Sequence, residues 1–214
     1  MAKRHLQYLL PLILAFVFLF ACASRQSTTS TASTKNHAAF KSFKDYPDHA
    51  FNVKDYIKAM EKGGHNLLLW QDPSVNLKQY HSVNISRFGE RLLPEQNRFS
   101  YSPFTMNFNR TFESSMTIKR SSSNNALQIR GELVECNPGN RAARYLIGFG
   151  AGKVACAVVC EVYEPNKTKP CLSIYARDTS SYGAFGGDSV AAINYIFDQL
   201  AFRVSSVLKA RIGR

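Results

Sequence analysis

Histidine is scarce in this chain, and its distribution restricts the catalytic chemistry that the sequence predicts. All five histidines lie at or before position 81, so residues 82–214 contain no general base of that type. The sequence contains neither the HExxH motif of zinc proteases nor the GxSxG motif that carries a serine nucleophile. We therefore expect no enzymatic activity. The alternative is a periplasmic enzyme that uses His65 and His81 from the first half of the chain.

Motifs for metal and nucleic-acid binding are also absent. No CxxC pair occurs, and neither zinc-finger spacing nor a helix-turn-helix pattern is present. His65, Asp72 and His81 offer only a weak alternative as metal ligands. We expect no metal, no cofactor and no nucleic-acid partner. The formal net charge of +12 instead favours anionic surfaces such as phospholipid head groups, glycan phosphates or an acidic protein.

Long apolar runs are lacking beyond the start of the chain. Lys3 and Arg4 precede one apolar segment over residues 9–20, which ends in Leu19-Phe20-Ala21-Cys22. About a dozen apolar residues are too few to span ~30 Å of hydrocarbon. The layout predicts a lipoprotein signal peptide, residues 1–21, and an acyl (palmitate-type) lipid on Cys22. An uncleaved membrane anchor, or cleavage near Ala23 without lipid, are the alternatives.

The rest of the chain divides into a tether and one domain. Residues 22–45 begin with a stretch rich in Ser, Thr and Ala that contains few large apolar side chains, so we predict a flexible tether. Residues 46–214 are enough for one domain with a substantial core. We predict a single α+β domain, in which a mixed or antiparallel sheet is covered by two main helices.

Hydrophobic periodicity places the elements of this domain. Asn52 is a predicted cap for a helix that ends at the glycine pair 63–64. Two main helices are predicted over residues 103–120 and 189–211. The first buries Phe104, Phe108, Phe112 and Met116, and the second presents an apolar face that starts at Val190. Strands are predicted over residues 78–87, 126–136, 154–163 and 170–177.

Four cysteines follow Cys22 in the chain, at positions 136, 156, 160 and 171. An even number in an exported protein permits two disulfides. Cys156 and Cys160 share a strand face but lie too far apart to bond each other. Cys160 with Cys171, and Cys136 with Cys156, are the pairings we predict, and buried free thiols are the alternative.

A glycine-rich segment carries the most specific motif in the chain, NPGNRAARYLIGFGAGK over residues 137–153. It lacks the spacing of a phosphate-binding loop and runs into a strand rather than a helix. The alternate glycines leave one strand face flat, so that either the long helix of the chain or a partner can approach the backbone closely. The residues predicted to contact a partner here and in the aromatic segment that follows are Arg141, Arg144, Gly148, Gly150, Gly152, Lys153, Tyr182 and Phe185.

This motif, followed by a hairpin, the sequence GAFGG and a long helix, resembles an uncharacterised family of small bacterial lipoproteins. The resemblance covers residues 75–213, with Pro138, Gly139, Arg141 and Arg144 followed by the alternate glycines. More distantly, the chain is similar to the curli secretion lipoprotein and the amino-terminal domain of TolB. The resemblance implies protein binding without catalytic residues. Because Ala23 rather than aspartate follows Cys22, it also implies an outer-membrane lipoprotein that faces the periplasm.

The expected function is therefore that of a lipid-anchored cell-envelope protein. We expect a binding or structural accessory subunit of an envelope assembly, such as a secretion system, with envelope proteins as partners and self-association into a homo-oligomer as a further option. Direct binding of anionic lipid or glycan by the basic surface is the alternative outside catalysis.

Overall fold

The computed structural model describes residues 40–95, 100–139, 153–180 and 188–213. They form an α+β fold, as predicted, in which one sheet is covered by helices on one face and by an N-terminal segment on the other. Cys22 and the signal segment lie outside the described residues.

The sheet has six strands in the order β1-β2-β6-β5-β4-β3. Strands β3 and β4 pair in parallel and the other neighbours are antiparallel, so the sheet is mixed. All ten residues of β5 are buried because this central strand is covered on both faces. The strands are β1 Glu61–Gly64, β2 Leu67–Gln71, β3 Val83–Ile85, β4 Leu127–Asn137, β5 Val154–Tyr163 and β6 Leu172–Ser180.

Two main helices, α2 (Ser102–Ser115) and α3 (Ser189–Ile212), cover one face of the sheet. A proline in the first turn suits the start of α2, and Asp188 caps α3 by accepting from the Val190 backbone N–H. The predicted stripe on α2 is buried, as its four-residue spacing requires. The predicted face of α3 is buried too, except that Val190 is 50% exposed and Val207 is only partly buried.

The opposite face of the sheet is covered by residues 40–60, which we call the N-terminal strap. The strap contains a 3₁₀ turn, Phe43–Asp45, the short helix α1, Val53–Tyr56, and a second 3₁₀ turn, Ile57–Ala59. Its buried aromatic side chains pack on apolar residues of β4, β5 and β6. These are Phe43, Tyr46 and Tyr56 against Val134, Ala157, Val159 and Tyr175.

The strap corrects two predictions at the start of the domain. The helix capped by Asn52 is much shorter than predicted, because residues 61–64 pair with β2 instead of continuing it. The domain also begins before residue 46. Ser42 caps the first 3₁₀ turn and Phe43 is only 4% exposed, so residues 40–45 belong to the strap rather than to the tether.

The predicted strand over residues 78–87 is also reduced. A 3₁₀ turn, Leu77–Gln79, occupies its beginning and β3 contains only three residues. Strand β3 pairs with β4 on one side, and on its other side an isolated bridge joins Val83 to Arg120, so only a short ladder defines this strand. Within the described residues, no helix combines the length and apolarity needed to cross a membrane.

Candidate functional site

The two connections that carry the predicted contact residues leave the sheet at the same edge. Strand β4 ends at Asn137, which lies opposite Ala155 on β5. The first residue of β5, Val154, lies opposite Ser180, the last residue of β6. The connection between β4 and β5 and the connection between β6 and α3 therefore start from neighbouring strand ends. This common edge is the first candidate site.

Most of the predicted contact residues lie outside the described residues. Of the eight, only Lys153 is described, and it is exposed immediately before β5. The two arginines, the alternate glycines, Tyr182 and Phe185 belong to the residues between the described strand ends. The structure thus places both ends of the first segment and the start of the second on neighbouring strands.

An ion pair lies close to this edge on the strap side. Glu135 Oε2 accepts from Arg177 Nε at 2.7 Å, and Glu135 Oε1 accepts from Arg177 Nη2 at 2.9 Å. This geometry is bidentate, the arrangement in which a guanidinium matches a carboxylate best. The bond to Glu135 raises the pKa of Arg177, so this guanidinium keeps its charge. The pair braces β4 against β6 across β5, two or three residues from the strand ends.

The structure does not bring His65 and His81 together. His65 lies in the turn between β1 and β2, at one edge of the sheet, whereas His81 lies just before β3, at the other edge. Three strands lie between β2 and β3, and neighbouring strands are about 4.8 Å apart. The two imidazoles therefore cannot act on one substrate atom. Over the described ranges, no group of three or more His, Cys, Asp and Glu side chains has the arrangement of a metal site.

The four downstream cysteines are buried free thiols in the structure. The predicted pairing of Cys160 with Cys171 is wrong, because the register places Cys160 opposite Ile174 and Gly131. Cys171 instead directs its thiol to the carbonyl oxygen of Val162 at 3.2 Å. Cys136 lies directly opposite Cys156, and a disulfide between them stays a prediction.

A basic recess that the sequence analysis did not identify lies at the opposite end of β4 and β5. It has a volume of about 240 Å³ and is lined by Lys44, Arg130, Tyr163 and Lys167, among others. The Lys44 ammonium lies 3.6 Å from the centre of the Tyr163 ring, and the Arg130 guanidinium lies 5.7 Å from it. Partial burial lowers the pKa of Lys44, and the nearby Arg130 charge lowers it further.

The charges of this recess are only partly compensated. Within the described residues, neither Lys44 nor Arg130 forms an ion pair. Glu164, which also lines the recess, accepts a hydrogen bond from the Tyr80 hydroxyl at 2.7 Å. Two cations and an aromatic edge around a small opening can receive a phosphate or a carboxylate. The only available sequence signal was the alternation of β4, which places Gln128 and Arg130 on one face.

Beneath this recess, Glu161 is a completely buried carboxylate, with 0% exposure. It accepts hydrogen bonds from Ser42 Oγ at 2.7 Å, from the Phe43 backbone N–H at 2.9 Å and from Tyr56 Oη at 3.0 Å. The Tyr163 hydroxyl donates a fourth bond. Burial raises the pKa of Glu161, although the four donors oppose this. Since three of the donors belong to the strap, this group joins the strap to the sheet and is closed to substrate.

Part of the chain matches the model of a known domain family. Residues 104–191 match the model described as Domain of unknown function (DUF4410), which is less than half of the chain. Among curated proteins no relative matches.

Several solved structures are similar at low sequence identity. The PelC dodecamer from Paraburkholderia phytofirmans is 12% identical, with a TM-score of 0.41 over 65% of this chain and 96% of that chain. A minor lipoprotein from Acinetobacter baumannii is 12% identical, with a TM-score of 0.34 over 62% of this chain and 94% of that chain. A DUF4136 family protein from Bacteroides thetaiotaomicron is 11% identical, with a TM-score of 0.34 over 69% of this chain and 97% of that chain.

The family match lies inside the region, residues 75–213, over which the sequence resembles an uncharacterised family. The glycine motif as a family signature and the likeness to the curli secretion lipoprotein and TolB stay predictions. The match over residues 104–191 confirms the coarser part of the prediction, a resemblance to a domain family without an assigned function.

Proposed function

We propose that this chain is a lipid-anchored protein of the bacterial cell envelope that binds a protein partner as an accessory subunit of an envelope assembly. The sequence Leu19-Phe20-Ala21-Cys22 after the apolar segment supports a lipid anchor on Cys22, which we place in the outer membrane and facing the periplasm. One observation carries the binding role: the register that places Asn137, Val154 and Ser180 on neighbouring strand ends. Because of this register, the strands that precede the segments with Arg141 and Arg144 and with Tyr182 and Phe185 end at the same edge of the sheet.

A role in binding fits these residues better than a role in catalysis. The two histidines of the enzymatic alternative lie at opposite edges of the sheet. The buried carboxylate Glu161 has all its accessible hydrogen-bonding positions occupied by donors from the protein. The arginines, glycines and aromatic residues of these two segments suit an acidic patch on a partner, because charge complementarity steers association and residues without a side chain permit close approach.

The anchor is tested separately from the binding role. A Cys22→Ala variant should lose labelling by a palmitate analogue and leave the membrane fraction, while an unlabelled wild-type chain in the same assay would contradict lipidation. This experiment depends only on Cys22. Its result is therefore independent of which surface binds the partner.

Partner binding is tested by crosslinking in cells, mild detergent extraction and identification of co-purified proteins by mass spectrometry. The double variant Arg141→Glu/Arg144→Glu should lose most of the co-purified partner. The matched control Lys62→Glu/Lys78→Glu changes the net charge equally at two exposed positions and should retain it. Equal retention by both variants would remove the two arginines from the site. A wild-type chain that migrates alone would contradict the subunit role, and a multiple of its own mass would make the partner a second copy.

A second function, binding of an anionic lipid or glycan, is favoured by the basic recess. Lys44 belongs to the strap, the first described segment of the domain, so the recess is built partly from the residues that directly follow the proposed tether in the sequence. Vesicles that contain phosphatidylglycerol should retain the wild-type domain at low salt and release it at high salt. Lys44→Gln/Arg130→Gln should weaken this binding more than Lys62→Gln/Lys78→Gln. Equal binding by the two variants, or binding to phosphatidylcholine alone, would contradict a role for the recess.

A further inference from the structure

Two of the buried cysteines lie side by side near the sheet edge described above. Cys136 on β4 is the direct register partner of Cys156 on β5. Their exposures are 4% and 0%, and both thiols lie in the core between the sheet and the helices. The two side chains are close enough to form a thiol–thiol hydrogen bond. The two thiols therefore face each other across neighbouring strands.

The spacing of such a pair suits a covalent bond. Directly opposed residues of antiparallel strands have Cβ atoms about 4.5–5.5 Å apart, and a disulfide requires about 3.5–4.5 Å. A small approach of the two strands closes the difference. A bulge in β4 between Leu133 and Glu135 lies immediately before this pair and gives the strand local freedom to make that approach.

The other two cysteines do not compete for these partners. Cys160 is four residues from Cys156 along the same strand, about 13 Å away. Cys171 lies immediately before β6, and its thiol contacts the Val162 carbonyl oxygen. Among the described residues, Cys136 and Cys156 are therefore the one pair of cysteines that the strand register places opposite each other.

We propose that Cys136 and Cys156 form an intramolecular disulfide when the chain folds in an oxidising compartment, and that Cys160 and Cys171 remain thiols. The bond closes residues 136–156 into a covalent ring at the sheet edge. It rests on the proposed function only in requiring export of the chain. The pairing itself is a property of the fold.

The oxidant is a disulfide, supplied by a thiol–disulfide oxidoreductase of that compartment or by oxidised glutathione. The thiolate of one cysteine attacks a sulfur of the oxidant, which forms a mixed disulfide and releases the first thiol of the oxidant. The second cysteine then attacks the protein sulfur of the mixed disulfide and releases the second thiol. The two thiol protons end on the released thiols, and two electrons pass from the protein to the oxidant.

Burial dictates when this exchange takes place. The hydrogen bond to Cys136 and the burial of the site raise the pKa of the Cys156 thiol. The thiolate is the attacking species, so the folded, reduced protein exchanges slowly. The bond therefore forms while β4 and β5 are pairing, before α2 and α3 close over them, and resists reduction afterwards.

Peptide mapping tests the pairing. The full chain is purified from membranes, and one portion is also unfolded, reduced and refolded in a glutathione redox buffer. Free thiols are alkylated before digestion with trypsin. Cleavage after Arg130 and Arg141 releases Cys136 on one peptide, and cleavage after Lys153 and Lys167 releases Cys156 on another. We expect these two peptides to be linked, with the loss of two hydrogen atoms, and to separate on reduction.

Because Cys160 lies on the same tryptic peptide as Cys156, variants distinguish the two. The link should persist in Cys160→Ala and Cys171→Ala and disappear in Cys156→Ala. A link that persists in Cys156→Ala, a link to the Cys171 peptide, or full alkylation of Cys136 in both preparations would overturn the proposal. A link in the refolded portion beside free thiols in the membrane portion would contradict export and establish the pairing.

Discussion

At the scale of single residues, Glu161 decides whether the strap stays on the sheet. Burial of an ionised carboxylate is costly unless hydrogen bonds replace its hydration, and here four donors do so. The arrangement is asymmetric. Removal of the acceptor leaves most of these buried donors without a partner, because only the Ser42 and Tyr163 hydroxyls can then bond to each other. This costs more than the hydrogen bonds themselves contribute.

Substitutions of Glu161 should therefore separate charge from hydrogen bonding. Glu161→Ala should lower the free energy of unfolding by roughly 3–5 kcal/mol, because it removes the acceptor and leaves buried donors without a hydrogen-bond partner. Glu161→Gln keeps one acceptor oxygen and should cost about 1–3 kcal/mol. Glu113→Gln, at a partly exposed carboxylate paired with Arg120, is the control and should cost less than about 1 kcal/mol. Urea unfolding measures all three, and similar losses for Glu161→Ala and Glu113→Gln would contradict the role of the cluster.

The pH dependence of the free energy of unfolding also tests the role of Glu161. Burial raises the pKa of Glu161 above its ordinary value of 4.5, so the folded state binds this proton more tightly than the unfolded chain. This contribution to stability is complete below pH 4.5 and is lost as the pH rises through the folded pKa. Burial also raises the pKa of Glu132, which acts in the same direction. Glu161→Gln should remove only the Glu161 part, and identical pH profiles for variant and wild type would contradict it.

At the scale of elements, sequence periodicity located the parts of the domain whose burial is one-sided or complete. Strand β5 has the predicted bounds, and α3 and β4 lie within one residue of theirs, because long apolar patterns determine which face is buried. Helix α2 ends at Ser115, five residues before the predicted end. The hairpin of β1 and β2 was missed because residues 61–64 are charged or glycine and all exposed. They are strand only through pairing with β2.

The contact between α2 and α3 also depends on one polar side chain that periodicity does not reveal. Asp198 on α3 accepts from Asn107 Nδ2 at 3.1 Å and from Thr111 Oγ1 at 2.7 Å, both on α2. The register of the two helices is thereby tied to a partly buried carboxylate. The apolar contact between Phe108 and Phe197 beside it would tolerate sliding that these bonds do not.

Removal of this side chain should loosen the helix pair. Asp198→Ala should reduce the free energy of unfolding by about 1–2 kcal/mol because two donors lose their acceptor. The neighbouring Gln199→Ala should change it by less than about 0.5 kcal/mol. In a double-mutant cycle measured by urea unfolding, Asp198→Ala and Thr111→Val should be non-additive, since both remove the same bond. Additive losses would show that the two residues do not interact.

At the scale of the whole molecule, the sheet is covered by two unlike layers. One layer consists of the two main helices, whose apolar stripes form a periodic pattern in the sequence. The other is the strap, whose helical pieces contain three or four residues each and leave no periodic signal. The strap is held on the sheet by aromatic contacts and by its hydrogen bonds to Glu161. Phe40, for example, stacks on Trp70 with ring centroids 4.8 Å apart. Contacts between residues so far apart in the chain leave no local sequence pattern. The composition of the first strap residues therefore predicts a tether instead of a part of the domain.

The strap should therefore be part of the folding unit, whereas the residues before it should not. A chain that begins at residue 40 should keep the unfolding midpoint of the mature protein. A chain that begins at residue 61 should lose cooperative unfolding and bind a hydrophobic dye, because Val134, Val159 and Tyr175 become exposed and Glu161 loses three of its four donors. Addition of a peptide of residues 40–60 should restore part of the transition. If the chain from residue 61 unfolds at the same urea concentration as the chain from residue 40, the strap is dispensable and the sheet needs only its helices.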